Sequence, residues 1–314
     1  MGIRLLDAPV SRRDDARAHQ YVVDHVNPGT TIRRRIVVAN PSQLRQDVAV
    51  YPAAAAVEKD EWTVAPDRTA NELSSWITLD RDHLDLKPDL ETTAWATIRV
   101  PKDASAGERY AVIWAESVAP RSEGPIRAVN RVGVRVYLSV GPGGEPPSDF
   151  TISGIAGTRA PDGTALLTAQ VANTGKRALD LDGTLSLTDG PDGLGTGPFK
   201  VDAPTLAIGA TTNLAVPVGQ HLPNGPWTAE LKLASGWTRR NATARVTFTL
   251  PGATNPTSDG DGSGAVLVGG LATSALVLVL LVSYARRQRR LGNRPSTLRS
   301  WFPTSPLNRA SDSR

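Results

Sequence analysis

Short runs rich in Val, Ile, Thr and aromatic residues follow one another along most of the chain, and turn-forming residues separate them. At 93–100 the run alternates: Ala94 and Ile98 fall on one face, Thr93 and Arg99 on the other. A period of two without helical periodicity indicates β-strands. Many such strands at close spacing are typical of antiparallel sandwiches. The sequence therefore predicts an all-β fold.

A Gly- and Pro-rich stretch, GPGGEPPSD, divides the strands into two regions, and the similar strings VANPSQ and VANTGK occur in both. We therefore predict two tandem Ig-like antiparallel β-sandwich domains plus one C-terminal transmembrane helix. The predicted segments are a first sandwich at 1–140, a linker at 141–148, a second sandwich at 149–251, a linker at 252–263, a membrane helix at 264–284 and a basic cytoplasmic tail at 285–314.

The segment Gly264–Tyr284 contains no charged residue and is long enough to cross a bilayer as a helix. A buried core helix is the alternative, but a core helix rarely stays apolar on all sides over such a length. A cluster of four arginines follows the segment and has the character of a stop-transfer signal: Arg286, Arg287, Arg289 and Arg290.

The charge asymmetry around this segment predicts its orientation. Arginine-rich flanks stay on the cytoplasmic side, so the sandwiches are expected outside the cell and the tail inside. The first residues do not have the composition of a secretory signal peptide, so we expect a leader upstream of Met1. Insertion by the tail is the alternative, and it would carry the arginines across the membrane.

The net positive charge of the chain comes from the tail. The chain carries a net charge of +4, and residues 285–314 hold eight Arg and one Asp, a net of +7, so the rest nets 4 − 7 = −3. A nucleic-acid-binding domain would concentrate basic residues on a folded region. The sequence therefore predicts no nucleic-acid partner.

No constellation of residues in the sequence indicates catalysis. The chain has no Cys, its four His are scattered, and it has no G-x-S-x-G motif. Asp189 and Asp192 could hold a cation, but their Gly-rich surroundings favour a turn. The sequence predicts a non-enzymatic protein with no catalytic residue, no metal site and no cofactor.

Tryptophans are the main candidates for ligand contacts, because exposed aromatic rings stack on sugars. Trp62 lies in a polar, loop-like stretch, and Trp95 shares a strand face with Thr97 and Arg99. Both are weak candidates for ligand binding. Trp114 shares its face with Tyr110 and is instead predicted to be a core residue.

Two small residues four positions apart, Gly270 and Ser274, could form a face for close helix packing. Homodimerisation through the predicted span is therefore one hypothesis. Small residues are also common in such spans without any dimer, so both alternatives stay open.

Several strings of the first region together carry a resemblance to a known family: GIRLLDAP at 2–9, VNPGTTIRRRIVVANPS, VAVYPAAA and LDLKPDLETTAWATIRVPKDASAGERYAVIWAE. They are similar to the peptidoglycan-binding domain of the WxL-interacting protein family, in an actinobacterial type of member. The second region looks like the Ig-like domain that follows in such proteins. The matching strings are turns and strands, so they identify no binding residue.

The resemblance implies an exported, membrane-anchored, non-enzymatic surface protein. Its first domain would bind peptidoglycan in the cell wall, and its second would bind another surface protein. The alternative is an accessory or adaptor subunit of a cell-envelope complex that does not bind the wall. An enzyme acting on wall polymers is disfavoured, because Glu58, Glu61 and Asp80 have no distinguishing context.

Overall fold

The computed structural model describes residues 1–58, 60–118 and 129–249, which belong to one compact unit, Met1–Thr254. The first half of this unit contains ten strands and two short α-helices among the described residues. They are β1 (Gly2–Leu5), α1 (Ala16–Gln20), β2 (Val22–Val26), β3 (Thr31–Asn40), β4 (Gln46–Glu58), β5 (Glu61–Val64), α2 (Glu72–Trp76), β6 (Ile77–Leu79), β7 (His83–Leu86), β8 (Leu90–Arg99), β9 (Gly107–Val118) and β10 (Val129–Val140).

These strands form two packed sheets. The first, sheet A, has the order β1-β3-β8-β6; the second, sheet B, has the order β2-β10-β9-β4-β5, with β7 also on β4. All pairs are antiparallel except β2 and β10, which run parallel. Apolar side chains from the facing surfaces, such as Ile36, Ile98, Ile113 and Leu138, form the core.

The alternation in β8 is confirmed, because Ala94, Ala96 and Ile98 are fully buried. The prediction for Trp114 is wrong. Trp114 and Tyr110 do share a face of β9, but it is the outer face of sheet B, and the core takes Ala111, Ile113 and Ala115 instead.

The second half of the unit is a smaller sandwich. Its strands are β11 (Phe150–Arg159), β12 (Ala165–Asn173), β13 (Leu179–Thr188), β14 (Thr196–Leu206), β15 (Thr211–Gly219), β16 (Trp227–Ser235) and β17 (Thr238–Val246). One sheet has the order β11-β12-β15, and the other has the order β14-β13-β16-β17. Trp227 lies in the core, and its indole N–H donates to the carbonyl of Pro223 at 3.0 Å.

The two VAN strings have the same structural role in the two halves. Asn40 and Asn173 are both buried, and each side-chain amide donates to the backbone carbonyl four residues later and to carbonyls of a more distant segment. Each amide oxygen accepts a backbone N–H two residues on, from Ser42 or Gly175. A buried Asn therefore ties the end of a strand to its neighbour in both sandwiches.

The fold is all-β with two Ig-like-type domains, as the sequence predicts at this level. Within residues 1–58, 60–118 and 129–249, no helix has the length and apolar character needed to span a bilayer. The predicted linker at 252–263, the span at 264–284 and the tail at 285–314 lie outside the described residues. So do Gly270, Ser274 and the four arginines.

Candidate functional site

The second sandwich packs on one half of the outer face of sheet B. We call this half the covered half. Its centre is a cluster of four aromatic rings: Tyr21, Trp62, Tyr110 and Tyr137. The rings of Trp62 and Tyr137 lie 4.8 Å apart, and Ala178 from the second sandwich is buried against the cluster. These four aromatic side chains of the first sandwich therefore form the surface on which the second one packs.

A network of buried charges surrounds this cluster. Arg177 is 1% exposed, and its Nε donates to the Glu108 carboxylate at 3.0 Å, while another nitrogen contacts Glu145. Arg17 lies 2.9 Å from the carboxylate of Asp180, across the junction. These pairs join groups far apart in sequence, so no local pattern in the sequence could have identified them.

The phenols in the covered half stay protonated. Burial, and then the Glu108 carboxylate, raise the pKa of Tyr110 far above its ordinary value. Burial and then Asp180 do the same to the pKa of Tyr137. Each hydroxyl therefore donates a hydrogen bond: Tyr110 to Glu108 at 2.8 Å and Tyr137 to Asp180 at 2.9 Å.

The other half of the outer face of sheet B is not covered by the second sandwich, and we call it the open half. The Tyr51 hydroxyl donates to Glu116 at 2.5 Å, and Arg131 donates to the same carboxylate at 2.9 Å. The guanidinium of Arg68 lies 4.2 Å from the Tyr51 ring centroid, and that of Arg131 lies 5.4 Å from the Trp114 ring. The open half is thus an aromatic surface with two arginines on it.

Gly133 on β10 allows Trp114 to lie flat. A Cβ atom at Gly133 would come within 2.7 Å of the Trp114 ring and of a Val112 methyl group. Real Cβ atoms do not approach that closely, so the indole extends across β10 only because position 133 has no side chain. Trp114 and Gly133 are also directly paired in the β9–β10 register.

One side of β10 next to this surface has no partner strand among the described residues. β2 pairs with β10 only from Val136 to Val140, whereas β9 pairs along the full length of β10. The segment Val129–Arg135 therefore has an unpaired edge. A strand edge with free backbone N–H and C=O groups is a template for the addition of another strand.

The structure places the two predicted ligand-binding tryptophans apart. Trp62 lies in the covered half, partly buried, with the Arg135 guanidinium 4.9 Å from its ring. Trp95 lies on the outer face of sheet A between two arginines, Arg33 and Arg35, at 4.5 and 5.5 Å. Ligand binding by either residue stays a prediction.

A shallow cavity of about 420 Å³ adjoins the open half and is lined by Tyr51, Arg68, Asp80, Asp82 and His83, among others. No group of three or more His, Cys, Asp or Glu side chains in the described ranges has the arrangement of a metal site. The arrangement can offer backbone hydrogen bonds, aromatic faces and guanidinium groups to a ligand. These are means of binding, not of bond cleavage.

No family model matches the chain, and no curated protein matches it. Solved structures do match. The Salmonella enterica SafA pilin in complex with the SafB chaperone aligns with 11% identity over 78% of this chain and 97% of that one, with a TM-score of 0.42. The Pseudomonas aeruginosa CupB2 chaperone aligns with 10% identity over 72% of this chain and 98% of that one (TM-score 0.38). The class 5 fimbriae chaperone CfaA aligns with 11% identity over 78% and 99% (TM-score 0.37).

These comparisons correct the predicted family and function. Membership of the WxL-interacting family is wrong: no family model matches, and the matching structures are chaperones of fimbriae and pili. The resemblance depended on turns and strand ends, which sandwiches of many families share. The predicted peptidoglycan binder anchored in a membrane is also wrong on this comparison, and the alternative of an envelope adaptor is not supported by it.

The predicted localisation as a single-pass membrane protein is corrected on the same comparison, and the predicted span at 264–284 lies outside the described residues. The prediction of a non-enzymatic protein is in line with the matched structures, whose names describe chaperones.

Proposed function

We propose that this protein binds an extended segment of another protein, which adds as a strand to the free edge of β10 at Val129–Arg135. The proposal rests on one observation: this edge has no partner strand among the described residues, although β10 is paired with β9 along its whole length on the other side. In this mode of recognition, backbone hydrogen bonds provide affinity and side chains provide specificity.

The surroundings of the edge support the addition of a strand. Val129 is 54% exposed and Val118, its pairing partner on β9, is 40% exposed, so apolar surface lies at the start of the edge. The aromatic surface of the open half adjoins the same segment. The proposal agrees in kind of partner with the SafB structure, where a chaperone holds a pilin, but it rests on the edge of this chain.

Amide hydrogen exchange tests the proposal directly. In the free protein, we expect fast exchange at alternate amides of Val129–Arg135, because those N–H groups point away from β9 and lack an acceptor. A library of extended peptides is then screened, and a binder should slow exchange at the same amides. Binding that leaves these amides unprotected would contradict the proposal.

A charged substitution at the edge gives a second test. Val132 is partly buried against the core beside the edge, and an inward-pointing Lys there is expected to hinder strand addition. Val132→Lys should weaken peptide binding by ~10-fold or more, since a partner strand would have to desolvate the ammonium. Val64→Lys is the matched control, because Val64 is 43% exposed on another edge strand, β5. Equal loss in both variants would argue against the edge of β10.

A further inference from the structure

From the side chains on the two faces of the free edge, we infer that the partner segment alternates acidic and apolar residues. This inference rests on the proposed function and assigns the chemistry of the ligand. The residues of β10 alternate between the outer face of sheet B and the core of the sandwich. A strand added beside Val129–Arg135 would continue both faces, so each of its side chains would meet one of two different environments.

The outer face next to the edge is cationic. Arg131 and Arg135 point to this face from β10 itself, and their side chains are 29% and 31% exposed. The Glu116 carboxylate is shared by Arg131 and Arg68, and the Asp180 carboxylate is shared by Arg135 and Arg17. In the open half two guanidinium groups thus share one carboxylate, whereas Arg17 in the covered half is also close to the Glu108 and Asp15 carboxylates.

Glutamate or aspartate on the partner strand would balance this excess of positive charge. Oppositely charged residues on adjacent strands attract each other, and arginine can bind a carboxylate through two parallel hydrogen bonds. Trp114 provides a flat apolar surface between the two arginines of β10, since its ring covers Gly133. A lysine on the partner at the same positions would instead face two guanidinium groups.

The inward side of the edge is apolar. Val134 is buried and Val132 is partly buried, both against the core. Ile3 of the neighbouring edge strand β1 and Met1, which precedes that strand, pack on the same core and are also only partly buried. Inward residues of the partner strand would cover these four side chains, so valine, isoleucine or leucine fits there. Polar residues at those positions would lose their water without gaining hydrogen bonds.

Three synthetic peptides test the inference on the full chain. Each carries valine at alternate positions, and the residues between them are Glu, Ser or Lys. We expect the Glu peptide to bind ~10-fold more tightly than the Lys peptide at low ionic strength, with Ser between them, and the difference to shrink as salt is added. Fluorescence anisotropy of labelled peptides gives the dissociation constants.

The outcomes separate this inference from the proposed function. If all three peptides bind equally and protect the amides of β10, the edge binds strands but has no preference for acidic residues, and the inference is wrong. Tighter binding of the Lys peptide would also overturn it. If none of the peptides binds and screening finds no other extended segment, the proposed function fails as well.

Arg131→Gln should remove most of the preference for Glu over Lys, measured as the ratio of the two dissociation constants. Arg245→Gln is the control, because Arg245 lies on β17 of the second sandwich and donates only to Thr228 among the described contacts. An unchanged preference in Arg131→Gln would contradict the inference.

Sedimentation of the free protein tests whether a second copy of the chain occupies the edge. A dimer that Val132→Lys disperses would assign the edge to that second copy and overturn the inference.

Discussion

The two halves of the outer face of sheet B are built from the same kinds of residue but differ in what lies over them. In the covered half, Tyr110 and Tyr137 donate to carboxylates that also pair with arginines. In the open half, Tyr51 and Glu116 repeat that arrangement with Arg131. Aromatic rings with guanidinium groups and shared carboxylates therefore form a surface that can bind a protein domain. In the covered half, this surface binds the second sandwich.

The difference lies in the exposure of the ion pairs. The side chains of Arg177 and Glu108 are 2% and 1% exposed, whereas those of Arg68 and Glu116 are 58% and 14% exposed. Water and salt screen a pair such as Arg68–Glu116, so its net effect on stability is small. A buried pair cannot be broken without leaving a charge that has no compensation. The covered half should therefore stabilise the fold, and the open half should remain available to a ligand.

Glu108→Gln is expected to have the largest effect. It removes the fully buried one of the two carboxylates that pair with Arg177 and leaves only the partly exposed Glu145, so the free energy of unfolding should fall by about 3 kcal/mol. Urea denaturation followed by fluorescence measures this change. Glu230→Gln is the control, because Glu230 pairs with Lys232 on the surface and should cost less than about 1 kcal/mol. Equal effects in the two variants would remove the distinction between buried and exposed pairs.

Gly133→Ala should have an intermediate effect and acts on the open half. The added methyl group would overlap the Trp114 ring, so the indole must move, at a cost of about 1–3 kcal/mol. We expect a shift of tryptophan emission toward longer wavelength as Trp114 becomes more exposed. Gly144→Ala is a suitable control, since a Cβ there meets no atom within 4 Å. An unchanged spectrum in Gly133→Ala would show that Trp114 does not depend on this glycine.

The sequence predicts the architecture better than the site. Alternation in β8 predicted a strand with two distinct faces, since a period of two follows from strand geometry, and the structure buries the face of Ala94 and Ile98. The same reasoning placed Trp114 and Tyr110 together but assigned them to the core, because periodicity does not tell which face is covered. Arg177 and Glu108 were missed for another reason: they are distant in sequence and meet only when the two sandwiches pack.

The free energy of unfolding at acid pH should also distinguish the two halves, and this is the smallest of the expected effects. The pKa of Glu116 lies below its ordinary value, first because Tyr51 donates to it and then because Arg131 and Arg68 are close. A lowered pKa in the folded state means that ionised Glu116 stabilises the fold above the unfolded value of 4.5. This contribution is lost as the pH falls through the lowered pKa.

Glu116→Gln should therefore be less stable than the unmodified protein by about 1 kcal/mol at neutral pH, and the difference should shrink below pH 4.5. Asp24 has the opposite effect on the pH dependence of stability. Burial raises its pKa in the folded state, so the stability that it contributes is lost as the pH rises. Asp24 is present in both proteins, so its effect cancels in the difference. Urea denaturation at a series of pH values gives that difference. A value that stays constant from neutral pH to pH 3 would mean that Tyr51 and the arginines do not favour the ionised carboxylate, and that the open half lacks the electrostatic arrangement of the covered half.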